Sequence, residues 1–135
     1  FEIDSRQVEP VVKIIEEISK DIPKFNVKIR EVDSYPKREF HYKIEPSEEL
    51  KKIHLKLIEL LARRSRIKPS SIEGGIFNFA IPIIYGDLEP EYFDRMHLSL
   101  EKHYADIDFQ VDNISLLRQV GRVWKIEKKI YLDAK

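Results

Sequence analysis

The sequence contains no cysteine and no threonine, and it has only four glycines among 135 residues. The absence of cysteine excludes disulfide scaffolds, cysteine-ligated zinc sites and thiol nucleophiles. No run of about 18 apolar residues occurs, so the sequence predicts no transmembrane helix. The opening segment, residues 1–7, carries charges where an export signal would have an apolar core. We therefore expect a cytoplasmic protein.

The chain also lacks an excess of charge of either sign. Its 24 Lys and Arg residues balance 24 Asp and Glu residues, so the formal net charge at neutral pH is zero. This balance excludes a protein that coats nucleic acid through a basic field over its whole surface, but it allows a local basic patch. Hydrophobic residues make up 42% of the chain, which is enough for a packed core, and the length predicts one domain.

The spacing of apolar residues predicts a mixture of helices and strands. Pro10 is compatible with the first helix only in its first turn. The strand that contains Pro82 is almost entirely apolar, which predicts cover on both faces, and the proline predicts an edge position or a bulge. The predicted elements are, in chain order, helix 6–20, strand 25–33, strand 39–44, helix 47–64, strand 77–85, helix 89–104, strand 108–117 and strand 123–132.

The order of these elements suggests an internal repeat. The second half runs strand–helix–strand–strand, and the first half would match it if one more strand preceded Phe1. We therefore predict an α+β fold with two lobes, antiparallel sheets, outer helices and pseudo-twofold symmetry. Residues 1–135 would form a single two-lobed domain whose first lobe lacks its N-terminal strand. The alternative is that both halves are ordinary α+β sequence that matches by coincidence.

Six segments carry a resemblance to a known superfamily, namely Phe25–Ile29, Ser34–Pro36, Ile44–His54, Phe77–Ile83, Phe109–Leu117 and Trp124–Leu132. The chain resembles the two-histidine phosphoesterases, which include 2′-5′ RNA ligases and cyclic nucleotide phosphodiesterases. The resemblance implies a bilobal α+β fold in which each lobe contributes a His-x-Thr or His-x-Ser motif from a strand that faces a central cleft. One histidine would act as general base and the other as general acid on a 2′,3′-cyclic phosphate, while the hydroxyls hold phosphate oxygens.

The sequence departs from this motif at the catalytic positions. Aligned on Phe77, the family's histidine falls on Ala80, its threonine on Pro82, and an arginine that often follows falls on Tyr85. Alanine cannot transfer protons, and proline has neither a hydroxyl nor a backbone N–H. The sole His-x-Ser sequence begins at His97 in a predicted helix, where residues two apart point in different directions. The other motif would precede Phe1, so we expect no catalytic pair in this chain.

The histidines offer few candidate ligands. His41 shares a strand face with Lys43, opposite Phe40 and Tyr42, and we expect it to face solvent; the alternative is a role in binding ligand in the cleft. His54 lies beside the apolar stripe of its helix, which predicts a packed side chain. No two histidines lie at a spacing typical of metal ligands, so we expect neither a metal nor another cofactor.

Basic and aromatic residues provide the remaining candidates. Arg63, Arg64, Arg66 and Lys68 follow one another at the end of a helix, either as a solvated terminus that complements the helix dipole or as a patch that binds phosphate. Arg118 is a further candidate phosphate ligand. An odd separation places Trp124 and Tyr131 on opposite faces of a regular strand, which predicts no stacking platform for bases.

Three functions remain as hypotheses. The first is a protein related to RNA or nucleotide phosphoesterases, and the second is a non-catalytic module that binds RNA or nucleotide phosphate in the retained cleft. The third is an interaction or oligomerisation domain that retains only the fold. Ala80 and Pro82 favour the second and third, since function depends on the site and not on the fold. The sequence predicts no membrane partner and leaves the oligomeric state open.

Overall fold

The computed structural model describes residues 2–35, 39–70, 77–86, 88–100 and 106–134. Helices and antiparallel strands both occur in them, which confirms the predicted α+β class. Among these residues, no helix has the length and apolar character that a membrane span requires. The elements are a 3₁₀ helix Ser5–Gln7, α1 Val8–Lys20, β1 Phe25–Tyr35, β2 Glu39–Ile44, α2 Glu48–Ser65, β3 Ala80–Tyr85, α3 Pro90–Leu100, β4 Ile107–Val111, β5 Asn113–Val120 and β6 Val123–Tyr131.

The first of two compact units, Phe1–Phe25 with Ser47–Phe77 and Gln110–Lys135, is organised around α1. Alternating steps of three and one residues align the apolar side chains of this helix on one stripe, which packs against α2 and the β5–β6 hairpin. The spacing of the apolar residues predicted this helix. The buried residues of the stripe are Val11, Ile14, Ile15 and Ile18.

Local hydrogen bonds determine where the helices of this unit begin. Asp4 accepts from the backbone N–H of Arg6 and forms a capping box with Gln7, so the chain enters α1 through the 3₁₀ turn. Pro10 lies in the first turn of α1, where its missing N–H costs no hydrogen bond, as predicted. Ser47 caps α2 by accepting from the N–H of Leu50 at 3.1 Å.

The second unit, Asn26–Pro46 with Asn78–Phe109, contains most of a four-stranded sheet in the order β3-β2-β1-β4. β2 is central and pairs antiparallel with both β1 and β3. On one face of this sheet, Phe40 of β2 stacks on Phe93 of α3 with ring centroids 4.9 Å apart. The sheet combines β1 and β2 from the first half of the sequence with β3 and β4 from the second half. The organisation of residues 1–135 as one two-lobed domain stays a prediction.

Two predicted strands differ from those in the structure. The single strand at 108–117 is wrong: the chain divides at Asp112, because β4 joins the four-stranded sheet whereas β5 pairs with β6. The carbonyl of Asp112 instead accepts from the N–H of Leu132 at 2.8 Å.

The strand around Pro82 is shorter than predicted and begins at Ala80. Cover on both faces is also wrong, since Ile81 and Ile83 are 37% and 38% exposed. The reason is that β3 is an edge strand of its sheet, and this position confirms the edge predicted for Pro82. Residues 101–104 of the third predicted helix lie outside the described residues.

The Phe40–Phe93 contact predicts that truncating the Phe40 side chain strongly destabilises the fold. Phe40 is 1% exposed, so Phe40→Ala should lower the free energy of unfolding by about 3–5 kcal/mol through reduced burial and a residual cavity. Leu98→Ala, on an exposed position of α3, is the matched control and should cost much less. Denaturant unfolding of both variants measures this; equal losses would contradict the assigned core.

Candidate functional site

The strand register brings the motif positions next to a histidine. His41 of β2 lies directly opposite Pro82 of β3, and Lys43 lies opposite Ala80. Directly opposed residues of an antiparallel pair project from the same face. Ala80 and Pro82 therefore share a face, and His41 and Lys43 share it with them. We call this surface the His41 face.

The same face continues onto β1 with acidic residues. Asp33 lies opposite His41, and Glu31 lies opposite Lys43, whose Nζ is 3.7 Å from Glu31 Oε2. Glu39 precedes His41 by two residues in β2, and its Oε1 lies 3.3 Å from His41 Nδ1. The His41 face thus combines one histidine, one lysine and a set of carboxylates.

His41 is not on a solvated surface. Its residue exposure is 5%, so the expected solvent-facing side chain is wrong. Phe40, on the other face of β2, is also buried, which means that both faces of this central strand are covered at this point. Sequence alternation indicated that the two side chains point in opposite directions, but it could not indicate that both directions are buried.

The chemistry available on the His41 face is limited. Ala80 and Pro82 supply no proton donor, acceptor or nucleophile, so His41 has no second histidine from the motif position beside it. Carboxylates outnumber cations there, which disfavours a phosphate anion. Among the described residues, no group of three or more His, Asp and Glu side chains is arranged to hold a metal ion. Tyr85, the third motif position, ends β3.

All four residues of the predicted cation cluster at the end of α2 are exposed, and two of them, Arg63 and Arg64, form ion pairs. Arg63 donates to Glu59, one turn earlier, at 3.3 Å. Arg64 donates twice to the carboxylate of Glu17 in α1, one of the two bonds being 3.1 Å long, and so connects the two helices. These two arginines therefore have defined partners within unit 1.

Arg66 and Lys68 are exposed as well. Arg66 follows the last turn of α2 in the left-handed region at φ 55°, and the N–H of Ile67 then donates to the carbonyl of Leu61 at 3.1 Å. Lys68 also borders a mainly apolar cavity of about 190 Å³. His54 borders the same cavity and stacks on Phe77 at 4.2 Å, which confirms its predicted packing.

Arg118 lies on a different surface from the α2 cluster. It is part of β5, and its Nη2 donates to Glu127 Oε1 of β6 at 2.6 Å. A groove of about 390 Å³ beside it is also bordered by Glu2, Asp4 and Trp124. The predicted binding residues thus occupy three places, namely the His41 face, the end of α2 and the β5–β6 hairpin.

The hairpin contains an arrangement that sequence reasoning missed. Gln119 lies opposite Trp124, and Asn113 lies opposite Tyr131. Since Asn113 and Gln119 are an even number of residues apart on β5, all four side chains share one face. The prediction of opposite faces for the two aromatic residues is wrong because β6 contains one extra residue, Glu127, where the register shifts. The available signal was Lys128, which interrupts the alternating apolar positions Trp124, Ile126 and Ile130.

Comparison with known proteins identifies the fold but no family. No family model matches the sequence, and no curated protein matches it. Among solved structures, the chain is similar to the crystal structure of TT0787 of Thermus thermophilus, with a TM-score of 0.71 and 13% sequence identity over 99% of this chain and 74% of that one. At this level of identity the similarity shows a shared α+β fold.

The Arg64–Glu17 ion pair predicts that the stability of the fold depends on pH. The hydrogen bonds from Arg64 hold the pKa of Glu17 below its ordinary value of 4.5, and the same bonds raise the pKa of Arg64. A carboxylate whose pKa is lower in the folded than in the unfolded protein stabilises the fold at any pH above its unfolded pKa. This contribution disappears as the pH falls through its pKa in the folded protein. Glu17→Gln should therefore be less stable than wild type above pH 4.5, and the difference should shrink below it.

Urea unfolding across this pH range measures the effect, with Glu16→Gln, an exposed neighbour on α1, as the control. A difference between Glu17→Gln and wild type that persists unchanged at acid pH would contradict the ion pair.

Proposed function

We propose that this protein is a two-histidine phosphoesterase-like module that binds RNA or nucleotide phosphates without using the two-histidine reaction. The observation that carries the proposal is the segregation of charge. Two segments, 63–68 and 118–129, contain nine basic residues and one acidic residue, although the whole chain has no net charge. Both segments belong to the first unit.

Clustered cations of this kind suit a polyanion. A phosphate backbone that meets Lys and Arg releases its condensed counterions, which supplies affinity independent of base sequence. Arg66 and Lys68 are exposed for such contacts. The shared fold with TT0787 is compatible with the proposed family, and the family assignment itself rests on the resemblance of the sequence segments.

The residues at the motif position support binding without catalysis. Ala80 and Pro82 lack the groups that a two-histidine enzyme needs. The carboxylates of the His41 face would also repel a phosphate anion. We therefore assign phosphate binding to the cations of the first unit, with His41 outside that site.

A second candidate is an interaction or oligomerisation domain. The exposed Ile81 and Ile83 favour it, because β3 is an edge strand and an edge can pair with a strand from another chain. Pro82 opposes such pairing, since it has no N–H for a ladder. Light scattering of the purified chain distinguishes this candidate: a stable oligomer that Ile81→Lys dissociates would support it over RNA binding.

The RNA-binding proposal predicts strong salt dependence. Fluorescence anisotropy of a labelled single-stranded oligonucleotide should show affinity that falls as salt rises, and Arg66→Glu with Lys68→Glu should weaken binding at least about tenfold. The variant should also reduce the slope of log affinity against log salt, by about 1 for each phosphate that the protein no longer neutralises. Lys20→Glu with Lys24→Glu changes the net charge equally at exposed positions and is the matched control. Equal weakening by both variants would contradict a defined patch.

The proposal that the protein binds without catalysis predicts no turnover of a cyclic nucleotide. The wild-type chain should not hydrolyse a 2′,3′-cyclic nucleotide above the buffer rate, because each positioned acid or base contributes about 10²–10⁴-fold and Ala80 provides none. The double variant Ala80→His, Pro82→Thr is assayed alongside; turnover gained by it would locate the nucleotide at the His41 face. Wild-type turnover that disappears in His41→Ala would overturn the proposal and indicate an enzyme with a relocated site.

A further inference from the structure

The β5–β6 hairpin presents aromatic and aliphatic side chains on a single exposed face. Past the extra residue Glu127, Leu117 lies opposite Ile126, and Gln119 lies opposite Trp124. Trp124 is 60% exposed, and Tyr131 and Ile126 are each 58% exposed. We call this surface the Trp124 face.

The opposite side of the hairpin packs against α1 and holds the hairpin in place. Ile130 is 7% exposed, and β5 and β6 both pack against α1. The hairpin is therefore anchored through Ile130 while the rings of Trp124 and Tyr131 project from the other side. Their partners Gln119 and Asn113 are six residues apart on β5, which corresponds to roughly 20 Å at the rise of a β-strand.

The charge of the hairpin indicates which partner the Trp124 face suits. Residues 113–131 contain five basic residues and a single carboxylate, that of Glu127, which Arg118 engages, while Glu2 and Asp4 border the groove beside Trp124. An apolar protein partner would have to bury or neutralise these cations at a cost in desolvation. A polyanion neutralises them directly, and exposed aromatic rings add base stacking when that polyanion has unpaired bases. The basic residues are Arg118, Arg122, Lys125, Lys128 and Lys129; Lys129 lies on the Trp124 face, and Arg118, Lys125 and Lys128 lie on the reverse side.

Building on the proposed function, we infer that the Trp124 face binds single-stranded RNA. Trp124 and Tyr131 stack on bases, and Lys129, which lies opposite Ser115 on the same face, contacts the backbone between them. Lys125 and Lys128 extend the positive potential from the reverse side of the hairpin. A duplex is disfavoured, because its bases are already stacked on one another and closed to the rings.

The chain contains a single tryptophan, so its fluorescence reports on this face directly. Titration of the full chain with a single-stranded oligoadenylate should quench Trp124 emission in parallel with anisotropy of the labelled RNA. Trp124→Ala should weaken binding by roughly 5- to 150-fold, which corresponds to ~1–3 kcal/mol per stacked base. Trp124→Phe should restore most of the affinity, since phenylalanine retains a ring.

Matched controls distinguish the loss of base stacking from a folding defect and from the loss of any exposed apolar side chain. Val123→Ala alters an exposed residue on the reverse side of the hairpin, and Tyr92→Ala removes an exposed aromatic ring from α3. Both should leave the affinity within about twofold of wild type. Circular dichroism and thermal unfolding establish that each variant is folded.

The outcomes distinguish the two proposals. RNA binding that neither quenches Trp124 nor responds to Trp124→Ala, but is abolished by Arg66→Glu with Lys68→Glu, overturns the Trp124 face and leaves the proposed function intact. No binding of single-stranded RNA at low salt overturns both. Equal affinity for the duplex overturns the stacking role. Self-association that Trp124→Ala abolishes, without RNA binding, identifies a second copy as the occupant instead.

Discussion

Single extra residues in three strand pairs determine which side chains of this protein meet. The extra residues are Arg30 in β1, Ile83 in β3 and Glu127 in β6. At each of them the strand has two residues opposite one residue of its partner, as in a β-bulge. A one-residue shift transfers all following side chains to the other face of a strand. Arg30 donates to Asp108 at 2.8 Å and Glu127 accepts from Arg118, so two of these three irregular positions are also held by ion pairs.

The sequence predicted the structure correctly where a feature depends only on nearby residues. The helix α1, the place of Pro10 in its first turn and the edge position of Pro82 follow from spacing and from backbone chemistry, and each was predicted. The break at Asp112 was missed because it depends on which strands β4 and β5 pair with, a choice made by distant parts of the chain. The burial of His41 was missed for a related reason, since alternation indicates direction and not what covers a face.

Zero net charge conceals an uneven distribution of charge. Removing the hairpin residues 113–131 leaves 19 basic and 23 acidic residues in the rest of the chain, so the hairpin is a cationic element on an acidic remainder. The His41 face contributes to that remainder through Glu31, Asp33 and Glu39. The motif position and the cations therefore lie in different electrostatic environments, which no count over the whole sequence could indicate.

The conformation of Arg66 has a consequence for how this protein can change. A left-handed backbone costs a residue with a side chain roughly 1–2 kcal/mol relative to glycine, which is the usual residue after a helix end. Glycine at this position would remove the steric cost and, with it, a cation of the α2 cluster. Stability and charge therefore oppose each other at position 66, and substitutions selected for thermal tolerance alone would tend to erase the charged surface there.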